Sequence, residues 1–294
     1  MNLSSSQNNQ QLVMGAMLPS VKTPFRYFGG KVLATQHLIK YVPRGITEAV
    51  SPFFGGGSLE LGMTARGIRI YGYDLFSPLV NLWQCLLNQP HNLERKTREV
   101  INTFGTDSSA LRAYCKEYLT VTNPLDSAHR LLIMLNFCFN GNLRSGFSQY
   151  LIQDNGDAVQ SNYRNKRLVK YELVRNFYNP LISIEHADFR ESLARHPNMF
   201  AYCDPPYPEA YASYGNDRRY DEDFPHEELA DILHRRQSDW MLSYNNCATV
   251  KNLYPENEFD YTYPKWSQGS KALPSPDHCN EVLIRPRREP LSCN

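Results

Sequence analysis

The residues best suited to chemistry stand late in the chain, at Asp204-Pro205-Pro206-Tyr207, directly after the apolar run Phe200-Ala201-Tyr202-Cys203. Two prolines after a strand fix φ and offer no amide donors, so the turn is rigid and its carbonyls lack a ladder partner. The Asp204 carboxylate, the Pro205 carbonyl and the Tyr207 ring then meet at the carboxyl end of a strand, where open α/β sheets bind ligands. The exocyclic amine of a nucleobase is planar and a poor nucleophile, because its lone pair is delocalised into the ring. Two acceptors on its hydrogens draw the nitrogen toward tetrahedral geometry and free that pair. A base treated in this way must first leave the helix stack, and Tyr207 offers a face to receive it. The competing reading is a structural turn with a buried tyrosine; the apolar strand leading in favours the chemical one.

Two further motifs have the make-up of a nucleoside-cofactor site. In the first, Pro52-Phe53-Phe54-Gly55-Gly56-Gly57 is followed 17 residues after Gly57 by Asp74. A glycine loop between strand and helix lets backbone approach a ligand, and an acid at the end of the next strand can accept from ribose hydroxyls. The spacing departs from Gly-x-Gly-x-x-Gly, since Glu60 stands where the third glycine would fall. A plain tight turn with a surface aspartate is the alternative. The second motif is Tyr27-Phe28-Gly29-Gly30-Lys31. Amides at a helix start, with Lys31 beside them, favour a carboxylate, and the Tyr27 ring suits a cation such as a sulfonium. The alternative is a helix start with a solvated lysine.

These motifs need a frame. Residues 31–42 read as a helix ending at Pro43, with Val32, Gln36 and Ile39 near one face. A strand over 48–50 leads into the glycine loop, a helix follows from Ser58, and 68–73 is a strand ending at Asp74. Further strands are expected at 181–185, 199–203, 240–243 and 281–285. A helix over 226–236 carries Leu229, Ile232 and Leu233 on one face. The alternation predicts a wound, mostly parallel α/β sheet. Residues 86–178 differ: helical at first, with Asp126 a candidate N-cap for a helix over 127–137, then polar and turn-rich from 140 to 165. This middle holds 12 Lys and Arg against 8 Asp and Glu, whereas the whole chain is only +1. Either it is the part that faces a polyanion, or the excess is ordinary scatter. Residues 22–85 and 179–288 then make one catalytic domain, 86–178 an insertion, and 1–21 and 289–294 tails.

Composition narrows the class. With 41% hydrophobic and 21% charged residues over 294 positions, wholesale disorder, a collagenous repeat and a coiled coil are excluded. No apolar stretch approaches the ~20 residues that cross a bilayer. Residues 1–21 carry no ionisable side chain, so the positive start of a secretory signal is missing and a cytoplasmic location is expected. Seven cysteines without a Cys-x-x-Cys pair predict reduced, mostly buried thiols, and eight scattered histidines predict no metal.

Together the three motifs resemble the DNA adenine methyltransferase family, which uses S-adenosylmethionine and carries Asp-Pro-Pro-Tyr late in the chain; the similarity runs over about 24–288. The family's aromatic-x-Gly-Gly-Lys is here Tyr27 to Lys31, with Gly29 and Gly30. Its Pro-Phe-x-Gly-x-Gly is 52–57, with Phe53, Gly55 and Gly57, and its ribose acid is Asp74. Its Asp-Phe pair, expected to hold and stack the cofactor's adenine, is Asp188-Phe189. Asp204, Pro205, Pro206 and Tyr207 are its catalytic motif, and Asp204 would also touch the cofactor's amino group. The resemblance implies a Rossmann-like methyltransferase fold with a helical DNA-recognition insertion between the ribose acid and Asp-Phe, in a bacterial or phage setting. It also implies methylation of adenine N6 in double-stranded DNA, in a short site such as GATC, by a monomer or weak dimer. The chain departs from the family at Asn140-Gly141-Asn142-Leu143-Arg144, which has one extra residue before Leu143, and no Phe-Asn-x-Pro-x-Gly follows. Arg144 is expected at base edges and Arg164, Lys166, Arg167 and Lys170 on phosphates; a solvated helix face is the alternative for the last four. Methylation of cytosine N4, and a cofactor-binding DNA-binding protein without turnover, are the competing functions; Asp204 argues against the first and the intact Asp-Pro-Pro-Tyr against the second.

Overall fold

Short strands, most of them well buried, set the architecture, which a computed structural model describes for residues 21–105, 107–138, 141–147, 171–208, 224–263 and 281–287. They are β1 (Glu48–Ser51), β2 (Arg69–Asp74), β3 (Ile182–His186), β4 (Phe200–Cys203), β5 (Trp240–Asn245), β6 (Phe259–Thr262) and β7 (Glu281–Pro286). Every residue of β4 is buried, as a strand covered on both faces requires. The period of two divides the strand between two cores. Phe200 and Tyr202 join the cluster that holds Ile70, Trp83 and Leu131, while Ala201 and Cys203 join the one that holds Leu229, Leu242 and Tyr254.

The seven strands form one sheet in the order β3-β2-β1-β4-β5-β7-β6. The first five run parallel, and β7 runs antiparallel between β5 and β6. The order reverses direction between β1 and β4, which pair through Ala49 with Phe200 and Val50 with Ala201. Such a reversal opens a crevice at the carboxyl ends of the two strands.

Helices connect the strands: α1 (Thr35–Leu38), α2 (Ser58–Thr64), α3 (Ser77–Asn88), α4 (Pro90–Phe104), α5 (Ser108–Lys116), α6 (Pro124–Phe137), α7 (Phe189–Arg195), α8 (His226–Arg235) and α9 (Ala248–Leu253). The helix α6 is buried at every residue from Ser127 to Phe137, and its buried polar side chains Ser127, His129, Arg130 and Asn136 are hydrogen-bonded. It packs on α3, and α4 and α5 pack on it, so these helices share their core with β2 and β3. Among the described residues the cysteines are free thiols, buried except for Cys247, which is half-buried.

Two expected features are corrected. The helix expected over 31–42 contracts to α1 and a 3-10 turn at Ile39–Tyr41, and Val32 is exposed rather than on a buried face. The buried positions are Lys31, Ala34 and Leu38, one helical face displaced by one residue, because Lys31 itself is drawn inward. The helix α6 starts at Pro124 and is capped by Asn123, whose Oδ1 accepts from the amides of Leu125 (2.9 Å) and Asp126 (3.1 Å). Asp126 therefore lies in the first turn, since Pro124 takes the first helical position at no cost in hydrogen bonds.

Candidate functional site

Strand ends place the motifs side by side. The glycine loop leaves β1 and Asp204 leaves β4, so both stand over the crevice where the sheet order reverses. The loop is seated from beneath by Phe54, whose ring lies against Gly72 of β2; a Cβ at Gly72 would come within 2.3 Å of it. Asp74 holds the loop's backbone: Oδ2 accepts from Gly55 N at 2.8 Å and Oδ1 from Phe76 N at 2.9 Å. Burial raises the Asp74 carboxyl, and those amides pull it back down. Trp83 Nε1 donates to Gly55 O at 2.9 Å. Gly55 and Gly57 have positive φ, 49° and 63°, which glycine adopts without strain.

The Tyr27 side chain packs closely on two of the loop glycines. A Cβ at Gly56 would meet Tyr27 Cβ at 2.9 Å, and one at Gly55 would meet its ring at 3.1 Å. The loop and the Gly29-Gly30 turn thus enclose one pocket, lined by Tyr27, Phe28, Lys31, Phe53, Glu60, Tyr202 and Asp204 with the glycines.

Lys31 is its electrostatic centre. Only 8% exposed, its Nζ lies 3.1 Å from Asp204 Oδ1 and 3.9 Å from Glu281 Oε1, and donates to Gly29 O at 3.0 Å. Burial raises the Asp204 carboxyl, and Lys31 opposes that rise. The same ammonium lies 4.9 Å from the centre of the Tyr207 ring, which meets Tyr244 edge-on. Tyr244 is hydrogen-bonded to His226 Nδ1 at 2.5 Å, and burial holds that imidazole down to about 4. Asn245 Nδ2 donates to Pro208 O at 3.0 Å and fixes the chain just beyond the motif. The pocket thus offers both charge signs, from Lys31, Glu60 and Asp204, and the aromatic side chains of Tyr27, Phe28, Phe53, Phe54 and Tyr202.

Asp188 caps α7 by accepting from Arg190 N, and it pairs with the Arg190 guanidinium at 3.0 Å. Phe189 stacks on Phe53 at 5.7 Å, and Phe53 reaches the pocket wall. Asp188-Phe189 is therefore linked to the pocket through Phe53. Arg144 is exposed, on a segment whose Gly141 packs against the Arg26 carbonyl, one residue before Tyr27. Arg164, Lys166, Arg167 and Lys170 lie outside the described residues.

The motifs did not disclose Glu60, Ser51 or Glu281. Glu60 is the third residue of α2, where an acid reads as an ordinary first-turn helix residue. It is buried, Ser51 Oγ donates to its Oε1 at 2.7 Å, and burial raises it to about 7. Its one sequence signal is a charge between Leu59 and Leu61 on an otherwise apolar turn. Among the described residues no helix is long and apolar enough to cross a membrane, and no His, Cys, Asp and Glu group is placed to hold a metal ion.

Comparison with known proteins follows the same outline. The model of the family described as D12 class N6 adenine-specific DNA methyltransferase matches residues 27–268. Modification methylase StsI of Streptococcus sanguinis is 26% identical over 213 residues, 68% of this chain and 30% of that protein. Type II methyltransferase M.FokI of Planomicrobium okeanokoites is 22% identical over 267 residues, 86% of this chain and 40% of that protein. The chain thus spans well under half the length of these relatives. Among solved structures, a human methyltransferase 10 domain containing protein is 10% identical over 92% of this chain and 84% of its own, with a TM-score of 0.34.

Proposed function

From the premise that the chain belongs to the D12 class of N6 adenine-specific DNA methyltransferases, we propose that it methylates N6 of a flipped adenine in double-stranded DNA, using S-adenosylmethionine. The observation that carries this reading is the buried Lys31–Asp204 pair, which ties the Gly-Gly-Lys turn to Asp-Pro-Pro-Tyr beside the glycine loop. Tyr27, Phe53, Lys31 and Asp204 would hold the cofactor, with Gly29, Gly30, Gly55 and Gly57 letting the backbone close on it. Asp74 and Asp188-Phe189 would bind its ribose and adenine. When bound, the cofactor supplies an electrophilic methyl group on a sulfonium.

The chain's own groups prepare the acceptor. Asp204 and the Pro205 carbonyl accept hydrogen bonds from the two N–H groups of the exocyclic amine and localise its lone pair. Lys31 opposes the effect of burial on Asp204 and so keeps that carboxylate an acceptor. Pro206 keeps the turn rigid and Tyr207 offers its ring to the base. Fixed acceptors aimed at one nitrogen supply catalysis by alignment and by electrostatics. Arg144 would reach base edges, and Arg164, Lys166, Arg167 and Lys170 would neutralise phosphates.

The test is transfer of a radiolabelled methyl group to unmethylated DNA, followed by nucleoside analysis. Label in N6-methyladenine is expected. Label in N4-methylcytosine, or cofactor binding with no label transferred, would overturn the assignment.

A further inference from the structure

Glu60 is a carboxylate with too little to neutralise it. It is 2% exposed, and it forms part of the pocket wall. Ser51 Oγ occupies one oxygen from the end of β1. Among the described residues no Lys, Arg or His nitrogen lies within 4 Å of it. Lys31 faces it from the turn before α1, but directs its ammonium to Gly29 O, Asp204 and Glu281. Asp204 and Tyr202 face it from β4, and Glu281 stands beyond Lys31 on β7. Glu60 and Asp204 thus line one pocket together with Lys31, whose ammonium is turned to Asp204. Burying an unpaired carboxylate is costly, and here the cost raises the group to about 7, with Ser51 and Lys31 opposing. A cationic group on a ligand would relieve it.

We infer that Glu60 is a second carboxylate for the cofactor's α-ammonium, so that acids from α2 and from the end of β4 bind the amino-acid end of the ligand together. The inference rests on the S-adenosylmethionine reading of the same pocket. It has a consequence in protons. A cation beside Glu60 favours its ionised form, so binding near pH 7 expels a proton from it, and affinity rises as pH increases through about 7.

Calorimetry on the full chain tests this with two probes. S-adenosylhomocysteine carries the amino-acid end; 5′-methylthioadenosine has the same nucleoside and thioether without it. Glu60→Gln keeps the shape and an acceptor for Ser51. It should weaken S-adenosylhomocysteine by about tenfold to a hundredfold and leave 5′-methylthioadenosine within about twofold. Titration in buffers of different ionisation heat should show a fraction of a proton released by the unaltered protein at pH 7, and less by the variant. Ser51→Ala serves as a second variant. Its loss raises Glu60 further, so the pH midpoint of S-adenosylhomocysteine affinity should move upward. Equal losses for both probes in Glu60→Gln, or unchanged S-adenosylhomocysteine affinity, would overturn the role of Glu60 and leave the cofactor reading standing. Failure of the unaltered protein to bind either probe would overturn both.

Discussion

At the scale of residues, the Lys31–Asp204 pair governs the site. Removing one partner of a buried pair strands the other charge, which costs more than the pair itself contributes. Lys31→Ala would leave Asp204 and Glu281 without their shared ammonium. The Asp204 carboxyl would then titrate at higher pH, so the acid limb of the methylation profile should shift toward alkaline pH. Cofactor affinity, measured by calorimetry, should fall by about one to two decades. An unchanged acid limb would mean that Asp204 is not the titrating acceptor. Asp204→Ala should lower turnover far more than cofactor binding. Tyr207→Phe should be mild, because its hydroxyl reaches Asp204 only at 3.5 Å, whereas Tyr207→Ala loses stacking worth about 1–3 kcal/mol. Both ends of the pair were legible in the sequence as separate motifs, although the glycine pair before Lys31 taken alone reads equally as an ordinary helix start. Their contact was not, because pairing across the fold depends on β1 and β4 being neighbours. Glu60 was illegible for a different reason: an acid at the third position of a helix has an ordinary local explanation.

At the scale of elements, strand positions followed closely from apolar runs bounded by turn residues. The strand expected at 199–203 is observed at Phe200–Cys203, and that at 240–243 extends to Asn245. Those strands are buried on both faces, so the whole run signals them. Helix starts were harder, because a cap depends on which side chain turns back onto which amide. Asn123 and Asp126 both have suitable side chains, and only the position of Pro124 decides between them. Asn123→Ala should therefore cost about 1 kcal/mol of stability, the usual price of a lost N-cap. Asp126→Ala should cost clearly less. Its contacts are partly exposed ones to Lys96 at 3.7 Å and to His129 at 3.8 Å. Urea midpoints of the two variants give the order, and the reverse order would return the cap to Asp126. The start of α1 went astray because a lysine on an amphipathic helix is normally solvent-facing, whereas here Lys31 anchors the buried face.

At the scale of the whole molecule, charge acts through salt and through pH. Replacing Lys166, Arg167 and Lys170 together should weaken binding to all DNA sequences alike and lower the salt slope by about 0.9 for each phosphate contact removed. If Arg144 reaches base edges as proposed, Arg144→Ala should instead relax discrimination among sequences, by about 1–3 kcal/mol at the base contacted. The pH argument concerns two buried groups of opposite sense. Glu60 keeps its proton to about 7 in the fold but gives it up near 4.5 when unfolded. Its contribution is therefore full below 4.5 and is lost as pH rises through 7. His226, held down to about 4 against 6.5 unfolded, stabilises above 6.5 and loses that as pH falls toward 4. Each swing amounts to about 3 kcal/mol, so between pH 7 and 4.5 they largely cancel. Glu60→Gln removes one side of the balance. It should be more stable than the unaltered protein at pH 8, by up to about 3 kcal/mol, and the difference should close as pH falls to 4.5. The variant should then show a steep acid loss between pH 6.5 and 4 that the parent conceals. Urea unfolding at pH 4.5, 6 and 8 measures this, and a stability difference independent of pH would show that folding leaves the Glu60 carboxyl at its ordinary value. A gain in stability paired with a loss of cofactor affinity is the signature of a residue kept for its ligand rather than for the fold.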